Sequence, residues 1–446
     1  MVAYSCSDCG HSAPKWFGKC PACGAWSSAE TQGNPSTEAP AVTSLNECGP
    51  APDRMESGLD EVDRVLGGGL VLGEVVLLGG DPGVGKSTLI LQFLNGLLAG
   101  GRRSLLATGE ESIHQVGLRA ARLGVNTADL RVTATQSLRA TLAACVQEKP
   151  DVLVVDSIQT LMDPDLEQSP GSVVQVRECA AELVRHAKTS GTAVVLIGHV
   201  TKDGSLAGPK ALEHVVDAVL SLEGERGGAM RLLRAAKNRF GSCDELGVFA
   251  MSAAGLQPID DPSAVLLADR HSEVSGSVIF PTLEGVRPML VELQALVTES
   301  DLPQPRRVAI GVEPRRLALA CAVLNEKSPT RIGKKDVFVS AAGGIIIKEP
   351  GADLALCLAL ASAESGSVID PRTVPIGEVG LGGEIRRVSG IERRLSEARR
   401  LGFDRAILPE GSQVNCSGME LTFASDLRRA LNLMAISRPR PGRAVA

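Results

Sequence analysis

The sequence predicts an α/β protein: a mostly parallel sheet with helices on both faces, a small cysteine-rich module before it and a separate α+β block after it. Three observations carry that reading. From Glu74 to Gly198, short apolar runs alternate with stretches of helical periodicity. Four of the eleven cysteines fall in the first 23 residues as two C-x-x-C pairs. Beyond a Pro-containing join near Gly255 to Ser275, apolar runs resume and continue to Leu433. A chain of 446 residues has room for about three such domains.

Composition narrows the function classes. Hydrophobic residues make up 44% and charged residues 22%, ordinary for a globular protein and too apolar for disorder. The net charge is −6, so any nucleic-acid contact must concentrate its basic groups locally, as in a channel. Aromatics are only 2%, which argues against base stacking as the main binding mode. The longest apolar run, Leu354 to Ala363, has ten residues, too few to span a bilayer, and no apolar leader opens the chain. The expected setting is a reducing cytoplasm, away from any membrane, with thiols as metal ligands or core residues.

The elements follow in order. Residues 1–28 read as the cysteine module, and the Ser/Thr/Pro-rich stretch 29–53 as a linker. Ser57-Gly58-Leu59-Asp60 reads as a capping box that opens a short helix reaching Leu66. Glu74 to Leu78 is a strand, followed by a Gly-rich turn and a helix from Lys86 to Leu98. Further strands are expected at Ser104 to Thr108, Leu130 to Ala134, Val152 to Asp156 and Ala193 to Gly198. Helices are expected at Ile113 to Leu123, Leu138 to Glu148 and Val173 to Lys188. Val216 to Leu222 and Met230 to Ala236 read as an antiparallel pair at the sheet edge. This core occupies 54–256, a linker 257–276, the third block 277–434 and a basic tail 435–446.

Cys6, Cys9, Cys20 and Cys23 form two knuckles, each able to present two thiolates to one ion. Together they complete a closed tetrahedral site that suits Zn²⁺. All four ligands are sulfur and no position is left for substrate, so the role is structural. A module this small has too little core to fold without such a staple.

Gly80-Asp81-Pro82-Gly83-Val84-Gly85-Lys86-Ser87, followed by Thr88, matches G-x-x-x-x-G-K-[ST] between an expected strand and an expected helix. In that context the glycines let backbone N–H groups approach phosphates, and the helix N-terminus favours the anion. ATP is the expected nucleotide, with Lys86 on its β- and γ-phosphates and Ser87 on Mg²⁺. Asp156 ends the apolar run Val152 to Val155 and reads as the second Mg²⁺ group, acting through water. Hydrolysis also needs a carboxylate to orient water. Glu110 is assigned that task and Glu111 stands as its backup. His199, at the end of the next strand, is placed to sense the γ-phosphate.

The order of motifs carries a resemblance. The zinc knuckles, Gly79 to Thr88, Gly109-Glu110-Glu111-Ser112, Gly198-His199-Val200-Thr201-Lys202-Asp203-Gly204 and Lys237-Asn238-Arg239-Phe240-Gly241 together resemble the bacterial RadA (Sms) family of RecA-like DNA-repair ATPases. The resemblance implies a RecA-like core assembled as a homo-oligomeric, hexameric ring. Lys237 and Arg239, two residues apart after a strand and so pointing the same way, would enter the neighbouring subunit's site and stabilise charge on the γ-phosphate. The loop from Gly204 to Lys210 would line a DNA channel, with Lys202, Ser205 and Lys210 on the phosphates. Implied partners are single-stranded and branched DNA and a RecA-type recombinase, and the implied task is branch migration or strand extension. The third block resembles the Lon proteolytic domain, with Gly351 where its nucleophilic serine belongs and Glu392 where its lysine belongs, so no protease activity is expected. Its basic doublets, Arg306-Arg307, Arg315-Arg316, Lys334-Lys335, Arg386-Arg387 and Arg393-Arg394, could serve DNA or simply face solvent. A partner-regulated P-loop ATPase of the signalling or clock type is the alternative, since the adjacent pair Glu110-Glu111 is compatible with it.

Overall fold

Strands without polar positions must be covered on both faces, and that rule builds the central sheet. The computed structural model describes residues 4–9, 11–13, 15–31, 44, 53–198, 212–224 and 230–434. It divides into two units, Met1–Pro52 and Asp53–Ala446. In the second unit the chain runs through β1 (Val75–Gly80), α1 (Lys86–Ala99), β2 (Ser104–Thr108), α2 (Ile113–Arg122), β3 (Arg131–Ala134) and α3 (Leu138–Glu148). It continues through β4 (Val152–Asp156), α4 (Val173–Ser190), β5 (Ala193–Ile197), β6 (Ala218–Glu223), β7 (Met230–Asn238), β8 (Leu246–Ser252) and β9 (Gly255–Pro258). These nine strands form one sheet in the order β9-β8-β7-β6-β1-β5-β4-β2-β3. The six from β6 to β3 in that order are parallel, and β7, β8 and β9 add an antiparallel wing.

Alternation along each strand feeds two cores. Val76 and Leu78 of β1 pack with Leu89, Ile90, Phe93, Leu94 and Leu97 of α1. Val75 and Leu77 face the other way, toward Val176, Ala180 and Leu183 of α4. At about 1.5–3 kcal/mol for each fully buried aliphatic side chain, these two layers dominate the stability of this part.

Three local expectations are corrected. The short helix Asp60–Leu66 has no side-chain cap at Leu59; instead Ser57 Oγ accepts from Leu59 N–H (3.2 Å), and Ser57 N–H donates to the Asp63 carboxylate (2.9 and 3.0 Å). The capping group thus comes from within the helix rather than from the expected box. The pair β6 and β7 is not the sheet edge, because β8 and β9 follow it. The join near Gly255 to Ser275 is structured: β9 lies in it, and Asp261 caps a helix Pro262–Leu267 by accepting from Ala264 N–H. Arg287 clamps this region, donating to Leu246 O (2.9 Å) and to Ile259 O and Asp260 O (both 3.3 Å) while pairing with the buried Glu61.

The third block contains β10 (Ser277–Glu284), β11 (Arg287–Glu299), β12 (Arg307–Ile310), α5 (Pro314–Lys327), β13 (Lys335–Ala341), α6 (Asp353–Ser365) and α7 (Ile391–Arg400). Its four-stranded sheet has the order β10-β11-β13-β12. Every residue of α6 from Leu354 to Ser362 is buried, which accounts for the ten-residue apolar run: a helix covered on all sides needs no polar face.

In the first unit, strands Tyr4–Cys6, Ser12–Ala13 and Ala29–Thr31 form a small antiparallel sheet. Among the described residues no helix is long and apolar enough to cross a membrane.

Candidate functional site

The first knuckle is shaped by Cys6 N–H donating to His11 O (2.9 Å), and the second by Cys20 N–H donating to Ala25 O (2.8 Å). The four sulfurs all lie within 4.8 Å of one another, with Cys6 to Cys23 at 3.6 Å and Cys9 to Cys20 at 3.7 Å. A tetrahedron of thiolates at Zn–S ≈ 2.3 Å has an edge of about 3.8 Å, so the donor set fits zinc in both chemistry and spacing.

The nucleotide site gathers at the C-terminal ends of β1, β5, β4 and β2. Their register is level: Leu78 pairs with Ile197, Ile197 with Asp156 and Asp156 with Thr108. The turn from Gly80 to Gly85 joins β1 to α1. Gly80 has φ +151°, and a Cβ there would meet Leu222 O at 2.4 Å; Gly85 has φ +118°, a backbone conformation that other residues rarely adopt. Only glycine fits at these two positions. The turn delivers the first N–H groups of α1 to one point, the geometry that binds phosphate.

Lys86 is buried, and its Nζ donates to Gly80 O (2.7 Å) and Asp81 O (3.1 Å). Burial pulls its ammonium below the usual lysine range, while Asp156, Glu110 and Asp81 oppose that pull. Ser87 Oγ donates to Asp156 Oδ2 at 2.9 Å, so the two oxygens expected on Mg²⁺ converge. The two adjacent acids separate. Glu110 Oε1 accepts from the buried Ser157 Oγ at 2.5 Å, beside Asp156. Glu111 instead pairs with Arg119 of α2 at 2.5 Å, and its backbone exchanges hydrogen bonds with Thr108 Oγ1. Ser157 was not picked out in the sequence, although a hydroxyl directly after the strand-ending Asp156 was a legible signal. His199, Lys202, Ser205 and Lys210 lie outside the described residues, as does the tail 435–446. The strand that leads to His199 ends level with the site, where Gly198 N–H donates to Leu78 O (2.9 Å).

The Lys-Asn-Arg-Phe-Gly stretch is a rigid spur. Lys237 Nζ donates to Glu213 O (2.6 Å) and Val216 O (2.7 Å). Asn238 donates to Val65 O (3.3 Å) and accepts from Phe240 N–H (2.8 Å), and Arg54 donates to Phe240 O (2.5 Å). Arg239 is more than half exposed and reaches Asp217 Oδ1 at 3.3 Å. Asn238 is level with Ala218 and Val76, at the opposite end of β1 from Gly80. At ~3.3 Å per residue, the strand from Val76 to Gly80 puts roughly 13 Å between this spur and the P-loop of its own chain.

In the third block, Gly351 is the middle residue of the turn Pro350–Ala352 before α6, and Glu392 is exposed on the first turn of α7. Between the stretches that hold them lies an ion pair with its arginine buried. Glu349 pairs with Arg394, and also accepts from Thr282 Oγ1 (2.7 Å) and Leu283 N–H (2.9 Å). Arg394 is 1% exposed, so the doublet Arg393-Arg394 is not a surface pair. In the other doublets one member is likewise engaged, Arg306 with Asp336, Arg316 with Asp353, Lys335 with Glu299 and Glu364, and Arg386 with Glu378 and Glu384.

Three family descriptions match the chain: a rubredoxin metal binding domain over residues 4–30, an AAA domain over 50–205 and a Lon protease (S16) C-terminal proteolytic domain over 319–438. Similar curated proteins named DNA repair protein RadA include that of Pseudomonas aeruginosa, 46% identical over 97% of this chain and 98% of its own. Those of Escherichia coli (43%, covering 97% and 98%) and Bacillus subtilis (44%, covering 91% and 92%) match alike. Identity at that level, sustained across nearly the whole of both partners, means that the chain belongs to the RadA family.

Proposed function

We propose that the chain is a DNA-dependent ATP hydrolase of DNA repair that processes recombination intermediates alongside a RecA-type recombinase. The relatives' shared name and the AAA match support the repair role and the ATPase. ATP would lie along the turn from Gly80 to Thr88, with Lys86 at its terminal phosphates. Mg²⁺, when bound between Ser87 and Asp156, supplies Lewis-acid polarisation of the phosphate oxygens. Glu110 orients the attacking water and accepts its proton, while Ser157 fixes the carboxylate.

The observation that carries the reading is the place of Arg239. It stands on a rigid spur at the far end of β1, out of reach of its own nucleotide. A cation so placed serves the γ-phosphate of a neighbouring subunit, where it offsets charge that develops in the transition state. Lys237, expected to reach the neighbouring site beside Arg239, instead has its ammonium on two backbone carbonyls of its own chain, where it holds the spur from which Arg239 projects. Hydrolysis then requires a homo-oligomeric ring, hexameric by family resemblance, that threads single-stranded or branched DNA past the loop bearing Lys202, Ser205 and Lys210. The third block carries a Lon-type fold without a serine or lysine at the dyad positions and acts as a platform for assembly and DNA. The partition at 53, 276 and 434 is part of this reading, while the expected ends at 28 and 256 move to Thr31 and Pro258, the last residues of their sheets.

Steady-state ATP hydrolysis at low salt, with and without single-stranded DNA, tests it. Several-fold stimulation by DNA is expected, with turnover abolished in Lys86→Ala and depressed in Arg239→Ala while nucleotide affinity of the latter is kept. A rate indifferent to DNA would move the weight to an ATPase governed by a protein partner.

A further inference from the structure

Arg239 leans on a buried carboxylate that no motif singles out. Asp217 is 3% exposed and precedes β6. Its Oδ2 accepts from Val75 N–H (3.0 Å), the first residue of the P-loop strand, and from Lys188 Nζ (2.6 Å) at the end of α4. Its backbone is fixed too, with Asp217 N–H donating to Val75 O (2.9 Å) and Arg239 N–H donating to Asp217 O (3.1 Å). The remaining oxygen, Oδ1, takes Arg239 Nη1.

We propose that Asp217 is the positioning residue for Arg239, holding one edge of its guanidinium so that the other edge is presented to the neighbouring subunit's γ-phosphate. This rests on the trans-acting role of Arg239 given above. The chemistry suits the task. A guanidinium is a planar fork of five donors and can bond a carboxylate and a phosphate at once, which a lysine ammonium does poorly. Lys188 and Val75 N–H keep Asp217 satisfied, so the carboxylate stays anchored to the sheet whatever Arg239 does. The guanidinium is over half exposed, while the backbone on either side of it is fixed by Asn238, Arg54 and Lys237. The exposed part of the spur is that side chain, and Asp217 is the carboxylate its guanidinium meets. Because Asp217 also holds the start of β1, the same carboxylate ties a subunit's own P-loop strand to the arginine it offers next door.

The test is a double-mutant cycle on the full chain, read as DNA-stimulated ATP turnover. Asp217→Asn keeps an acceptor for Val75 N–H but loses the charge. It should lower kcat by between about tenfold and a hundredfold, the cost of a misplaced reacting group, with the KM for ATP little changed. In an Arg239→Ala background it should cost nothing further. A purely structural role would add its loss to that of Arg239→Ala, and that result overturns the proposal. Arg239→Lys, a surface change that folding tolerates, gives an independent check: it should be as slow as Asp217→Asn, and wild-type turnover would overturn the proposal. Should Arg239→Ala itself hydrolyse at the wild-type rate, the trans-acting role fails, a result distinct from an additive cycle.

Discussion

Replacing Glu110 and Glu111 one at a time by glutamine separates two acids that the sequence leaves side by side. Glu110 accepts from the buried Ser157 hydroxyl at 2.5 Å, next to the Asp156 that closes on Ser87. As the water-orienting base it contributes about 10²–10⁴-fold to turnover, so Glu110→Gln should cut kcat by that range and leave ATP binding intact. Glu111 is spent on Arg119, in a pair with each side chain 27% exposed. Such a partly solvated pair is worth about 0.2–1 kcal/mol. Glu111→Gln therefore removes at most that much stability and no reacting group, so turnover should stay near the wild-type rate. The assay is steady-state phosphate release with saturating single-stranded DNA, with nucleotide affinity measured alongside. If Glu111→Gln abolishes turnover and Glu110→Gln does not, the assignment of the base is wrong, and so is the reasoning from Ser157.

Further outcomes follow from other parts of the chain. Cys20→Ala should empty the zinc site, taking bound zinc from one per chain to none; both tryptophans, Trp16 and Trp26, sit in this unit, so their fluorescence anisotropy should fall as it loosens. Unchanged metal content would refute the site. Glu74 is fully buried, and burial pushes its carboxyl up from 4.5 to about 7, with Asp217 adding to the rise. Between those values the folded chain keeps a proton that the unfolded chain releases, so stability falls as pH rises through 4.5–7, by about 3 kcal/mol in all. Glu74→Gln should flatten that slope in urea midpoints taken at pH 5 and pH 8, and an unchanged slope would contradict it. Restoring a dyad with Gly351→Ser and Glu392→Lys should give no peptidase activity on a fluorogenic peptide, because a side chain at 351 meets Glu349 Oε2 at 3.2 Å, and Glu349 is already committed to Arg394. Measurable peptide cleavage would show that the pair yields.

Much of the central sheet was legible because its strands are buried on both faces. Runs such as Val152 to Val155, closed by Asp156, have no other stable reading between two helices, and α3 and β4 begin and end where the periodicity does. The phosphate turn and the cysteine knuckles were legible because their chemistry demands fixed spacing. What stayed hidden depends on partners distant in sequence. Arg394 looks like a surface charge until Glu349 and Phe280 close around it. The cap of the first helix moved because Asp63, inside the helix, reaches back to Ser57. Asp217 carries no local pattern at all; its importance comes from Lys188, Val75 and Arg239, which only the assembled sheet brings together.

The most direct test of a site completed between subunits is to mix two impaired proteins. Arg239→Ala keeps its P-loop but offers no arginine, and Lys86→Ala offers the arginine but cannot use ATP. Co-assembled in equal amounts at random, about a quarter of the subunit interfaces pair an intact P-loop with an intact arginine. The account predicts that ATP turnover rises on mixing to about a quarter of the wild-type rate, above the depressed rate of Arg239→Ala and the absent one of Lys86→Ala. A mixture no more active than its components, with co-assembly verified, would contradict it and place the action of Arg239 within its own chain.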